Sequence, residues 1–174
     1  MKKDIDIQVE QILKEFNYDL NNGGYVNVVE LINSLGFVIG ETDKLAPDED
    51  GFISVSEDRL RAVIGVNADR TFEEKRFIAA HELGHYFLTF SKDKSNDKKI
   101  MHRDRKKGRN AEENEIDFFA ACLLMPYEAF KNHYNFLKSQ GLPEVLVIRH
   151  LQRLYRAPME SIKRRIGEVT RENA

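Results

Sequence analysis

Two histidines four residues apart, with a glutamate directly after the first, make His81-Glu82-Leu83-Gly84-His85 the chemically richest segment of this chain. In a helix, at about 100° per residue, positions i and i+4 lie on one face a turn apart, so both imidazoles reach one divalent ion. Glu82 then points towards water at that ion, the placement of a general base in metal-assisted hydrolysis. Two histidines leave the site incomplete, because a catalytic zinc takes three protein ligands and keeps one position open. The extended pattern with glycine three and histidine six residues beyond the second ligand is excluded, since Leu88 and Ser91 stand there. The other common solution is His₂Glu with a carboxylate from a later helix. Glu112-Glu113-Asn114-Glu115-Ile116-Asp117 is the dense carboxylate cluster downstream that leads into an apolar helix. Glu113 and Asp117 share one face, which suits Glu113 as third ligand and Asp117 as the group orienting a ligand imidazole. Glu112 and Glu115 fit a solvated acidic first turn favoured by the helix dipole. The donor types favour one Zn²⁺ per chain, with Mn²⁺ or Fe²⁺ as alternatives set by availability.

The elements that must position these groups are legible in outline. Thr71 and Glu74 form a capping box that opens the histidine helix. Phe77, Ile78, Leu83, Tyr86, Phe87 and Phe90 are too many for one narrow stripe, so that helix is expected to be buried on more than one side. Upstream, Ile5, Val9, Ile12, Leu13 and Phe16 repeat at helical spacing. Asn27 and Glu30 start a second helix, and Gly36 suits its left-handed cap. Three β-prone runs follow: Phe37-Val38-Ile39, Phe52 to Val55, and Ala62 to Val66, the last two joined as a hairpin around Glu57-Asp58. The expected fold is α+β, with a small antiparallel sheet of about three strands on the active-site helix. The helix from about Ala111 stops at Pro126, and short helices are expected near 127–139, 144–156 and 158–169.

Composition narrows the class. In 174 residues, 41% are apolar and 32% charged, with a net charge of −2. That excludes a disordered chain and an overall basic field for nucleic acid. The one cysteine, Cys122, rules out a disulfide scaffold and reads as a buried core residue in a reducing compartment. Neither a signal peptide nor an apolar run of the ~20 residues that span a bilayer is evident, so a cytoplasmic location is expected.

Arg76 to Leu88, together with Glu113-x-x-x-Asp117-x-Phe119-Ala120-Ala121-x-Leu123-Leu124-Met125-Pro126, resembles the ImmA/IrrE family of metallo-endopeptidases. The resemblance extends upstream through Gly51-Phe52-Ile53 and Ile64-Gly65-Val66-Asn67, covering roughly residues 25–130. One departure is Phe90, where many relatives carry a histidine. The resemblance implies a gluzincin-like minimal protease over 1–130, followed by a helical, helix-turn-helix-like part over 131–174 packed on it. It also implies a protein substrate: a helix-turn-helix repressor, whose cleavage releases a mobile element or a stress response. His102, Tyr127, His133 and Tyr134 are candidates by type for contacts to the substrate or transition state.

Two segments carry alternatives. Residues 91–109 hold nine Lys or Arg against three Asp, and read either as a solvated, mobile connection or as a lid or platform for an acidic substrate segment. Lys163-Arg164-Arg165, in the terminal helix pair, could meet phosphates, yet such a module also serves as a protein dock, and direct nucleic-acid binding is the weaker reading. The competing function is a non-catalytic regulatory protein whose structural or vestigial metal site accompanies sequestration of a repressor or toxin. A structural site needs no base and closes with four protein ligands, which sets Glu82 against it.

Overall fold

The computed structural model describes residues 2–18, 23–58, 60–90, 99–104 and 111–171. Helices α1 (Lys2–Glu15) and α2 (Val28–Ser34) precede strands β1 (Val38–Thr42), β2 (Glu49–Val55) and β3 (Ala62–Asn67). Helix α3 (Phe72–His85) runs on into a π-helical turn (Tyr86–Phe90), and strand β4 (Lys99–Asp104) follows. The chain continues as α4 (Ala111–Leu124), α5 (Tyr127–Ser139), α6 (Glu144–Tyr155) and α7 (Met159–Arg171). The fold is α+β. No helix among the described residues is long and apolar enough to cross a membrane.

The sheet corrects one expectation. Its order is β1-β3-β2-β4, and it is mixed: β2 runs antiparallel to β3 and β4, while β1 lies parallel to β3. The first three strands alternate in direction along the chain. The third inserts between the first two, so it meets the first in parallel. Burial explains the insertion: of β3, only Val63 is exposed, and a strand buried on both faces belongs at the centre. The fourth strand comes from within the basic segment 91–109, whose residues 99–104 pair with β2. Residues 91–98 and 105–110 of that segment, including Lys98, Arg105, Lys106 and Lys107, lie outside the described residues.

Contacts group the chain into two compact units, Asn27–Ala120 and Met1–Val26 with Ala121–Ala174. In the second unit, α1 buries Ile5, Val9, Ile12 and Leu13, and its Asp6 Oδ1 accepts a hydrogen bond from Arg165 Nη2 at 2.6 Å. Arg165 is 1% exposed and also donates to Glu168 and to the Met125 carbonyl. That occupies the guanidinium inside the unit and takes it away from any phosphate.

In the first unit, Asn27 accepts the Glu30 amide at the start of α2, and Gly36 at φ 77° ends it. The inward faces of β2 and β3 bury Ile53, Val55, Ile64 and Val66 and pack on α3. Each such side chain contributes about 1.5–3 kcal/mol. α3 begins with a complete capping box: the Thr71 side chain accepts the Glu74 amide, and Glu74 Oε2 accepts the Thr71 amide at 2.9 Å. Its buried residues include Arg76 and every position from Ile78 to His85. β2 carries a bulge between Glu49 and Gly51. Asp50 there accepts Arg70 Nε at 2.8 Å, and Asn67 Nδ2 donates to the Glu49 carbonyl at 2.8 Å, so the turn entering α3 clamps the bulge.

Candidate metal centre

α3 presents His81 and His85 one turn apart, their rings edge-to-face with centroids 4.9 Å apart. Both are buried, at 1% and 0% exposure. From the first turn of α4, Glu113 places Oε2 3.2 Å from His81 Nε2 and Oε1 3.8 Å from His85 Nε2. One ligand atom from each of the three lies within 4.8 Å of the others. Ligands about 2.0–2.1 Å from a tetrahedral ion stand about 3.3 Å apart, so this spacing fits a single small cation. The nitrogen, nitrogen and oxygen donor set is one that zinc accepts.

Asp117, one turn along α4, puts Oδ1 2.9 Å from His81 Nδ1 and is 7% exposed. A carboxylate there accepts the Nδ1 proton and leaves the Nε2 lone pair facing Glu113. When the His81 ring carries a second proton, on Nε2, its hydrogen bond to Glu113 holds that carboxyl below the ordinary range, against the opposing effect of partial burial.

Three contacts that the sequence reading did not single out bring α4 against α3. Gly84, inside the His-Glu-x-x-His string, has no side chain where a Cβ would lie 3.0 Å from Ile116 Cγ2 and 3.1 Å from Phe119 Cδ1. Phe87 stacks on Phe119, with centroids 5.8 Å apart. Thr89, in the π-helical turn, donates to Glu112 Oε1 at 3.0 Å. Glycine in mid-helix is the one signal that was visible beforehand, since it costs helix stability and marks close packing.

Glu82 is 0% exposed and lies beneath β2. A Cβ on Gly51 would sit 3.3 Å from Glu82 Oε1, 2.6 Å from Ile78 Cγ2 and 2.8 Å from the Gly65 carbonyl. The strand therefore crosses the carboxylate as bare backbone.

The remaining candidates belong to other elements. His102 sits on β4 opposite Phe52, its side chain outside the described part. Tyr127, His133 and Tyr134 belong to α5 in the helical unit. The Arg165 guanidinium lies 5.5 Å from the Tyr127 ring centroid, and His133 Nδ1 is 2.7 Å from the Tyr155 hydroxyl. Cys122 is 1% exposed, and burial pushes its thiol far up, so it is no nucleophile.

Comparison with known proteins gives the family. No curated protein sequence matches the chain. Among solved structures, a Mycobacterium tuberculosis transcriptional regulator is similar over 91% of this chain, at 17% identity and a TM-score of 0.58. Only 45% of that regulator is matched, so this chain spans less than half its length, and the likeness is one of fold. Residues 32–167 match the model of the M78 peptidases, described as an IrrE N-terminal-like domain. The chain belongs to that metallopeptidase family.

Proposed function

We propose that this chain is a zinc-dependent endopeptidase of the cytoplasm that cleaves a helix-turn-helix repressor, releasing a mobile element or a stress response. The observation that carries the reading is the meeting of His81, His85 and Glu113 donor atoms within 4.8 Å, with the Glu82 carboxylate on the adjoining residue of α3. Family membership supports peptidase chemistry. The choice of a repressor as substrate rests on the resemblance to ImmA/IrrE proteins. Mn²⁺ or Fe²⁺ in place of zinc is decided by metal analysis.

His81, His85 and Glu113 would hold a divalent ion, and Asp117 accepts a hydrogen bond from His81 Nδ1, which leaves the Nε2 lone pair to act as a donor to it. A divalent ion bound there would supply Lewis acidity towards water and the scissile carbonyl. Glu82 takes the proton from the attacking water and passes it to the leaving amine. Its burial keeps bulk water from competing for that proton. β1 and β4 each pair on one side only among the described residues, so either edge offers backbone groups to an extended substrate segment.

The test is metal analysis joined to co-incubation with the product of the neighbouring gene, comparing wild type with Glu82→Gln. Equal metal content with cleavage by wild type alone supports the proposal. Undiminished cleavage by Glu82→Gln removes the base assignment. A stable complex with no cleavage by either protein favours sequestration.

A further inference from the structure

The outer face of α6 is a basic, partly apolar strip that neither the metal centre nor the core uses. Leu146, Arg149, His150 and Arg153 follow one another at i, i+3, i+4 and i+7 and line a shallow hollow of about 150 Å³. Val145 and Arg156 flank them, and Val145 is 57% exposed. Val147, Leu151 and Tyr155, on the opposite face, carry the packing. The acidic residue of this helix, Glu144, is held by Lys138 at 3.2 Å. Arg149 and Arg153 have no carboxylate partner among the described residues.

α7 differs in this respect. Its exposed Lys163 and Arg164 are matched by their own neighbours, Glu160 at 2.7 Å and Glu168 at 3.6 Å, and Arg165 is buried. In a helix-turn-helix the second helix reads the groove, and here that helix has little charge left to offer phosphates. The strip on α6 combines arginine with exposed aliphatic side chains, the composition of protein interfaces.

We propose that the outer face of α6 docks an acidic, amphipathic helix of a partner protein, with carboxylates one turn apart pairing with Arg149 and Arg153. Four residues of helix rise about 6 Å, so the two guanidinium groups match glutamates spaced i and i+4 on the partner. Guanidinium takes a carboxylate in a two-pronged hydrogen bond, which favours this partner over a diffuse anion. Leu146 and Val145 supply the apolar part of the contact. The inference stands whether or not the metal centre is catalytic.

The test uses the full chain and a fluorescein-labelled helical peptide with glutamates four residues apart and leucines on the same face. A counterpart carrying lysines in place of the glutamates, and a short DNA duplex, are titrated at the same salt. The glutamate peptide is expected to bind wild type saturably and Arg149→Glu/Arg153→Glu about tenfold more weakly. The lysine peptide is expected to bind that double variant in its place. Equal affinity of wild type and the double variant for the glutamate peptide, or no binding to either, overturns the proposal. Tighter binding of the duplex than of the peptide also overturns it, giving the face to phosphates.

Discussion

His81 Nδ1 and Asp117 Oδ1 lie 2.9 Å apart, a buried hydrogen bond between α3 and α4 that joins the two helices carrying the proposed metal ligands. The bond fixes both the tautomer and the plane of the ring, so its effect falls on metal binding. Asp117→Ala is expected to weaken zinc about 10–100-fold, measured by competition with a chromogenic chelator. Unchanged affinity would show that Glu113 alone sets the geometry.

Gly84 separates helix stability from metal affinity. Alanine there gains about 0.5–1 kcal/mol of helix propensity but presses on Ile116 and Phe119, whose nearest atoms would stand only 3.0 and 3.1 Å from its Cβ and must give way slightly. The two effects nearly offset in the metal-free protein. Glu113 sits one turn before Ile116 on α4, so the displacement reaches the third ligand. Gly84→Ala should therefore leave the metal-free melting midpoint close to wild type and lower metal affinity several-fold. Calorimetry with and without zinc reads both quantities.

Arg165 joins α1, the end of α4 and α7 within the helical unit. Removing it leaves Asp6 and Glu168 without the charge that offsets their burial. Arg165→Ala is expected to cost about 3–5 kcal/mol in urea unfolding. Arg165→Lys recovers only part, since an ammonium cannot serve the two carboxylates and the Met125 carbonyl in the same planar fork.

His133 makes stability depend on pH. Burial lowers its pKa from the ordinary 6.5, so the folded chain protonates it less readily than the unfolded chain does. Its contribution is fully present above that ordinary value and is lost as pH falls through the lower, folded one. Neutral His133 accepts the Tyr155 hydroxyl proton at Nδ1, and protonation removes that acceptor. His133→Gln is expected to flatten the fall in melting midpoint just below pH 6.5, measured in a buffer series against wild type.

Features set by near neighbours in the chain were legible in the sequence. The Thr71–Glu74 box, the Asn27 cap and the helix starts after Pro126 and Pro143 each involve residues within a few positions of one another. The convergence of His81, His85, Glu113 and Asp117 needs only two i, i+4 spacings and a helix that folds back, and both spacings are visible as text. Long-range pairing was not legible. Parallel contact of β1 with β3 depends on where β3 inserts, and nothing local to Val38–Thr42 encodes it. β4 hides in Lys99-Ile100-Met101-His102-Arg103-Asp104, whose polar composition gives no strand signal, and its pairing with β2 supplies the missing hydrogen bonds. The bond from Arg165 to Asp6 spans 159 positions, so a basic triplet that looks solvent-facing in sequence conceals a core residue.

The bare backbone at Gly51 gives a way to disarm the chain without editing any residue that performs chemistry. A single methyl at that position collides with Ile78 and the Gly65 carbonyl and crowds the acid beneath it, while every metal-binding side chain keeps its identity. On the proposed mechanism, Gly51→Ala is expected to disturb proton transfer by Glu82 from behind, and a chain of this architecture with bulk at that position is expected to have reshaped the strand above the acid.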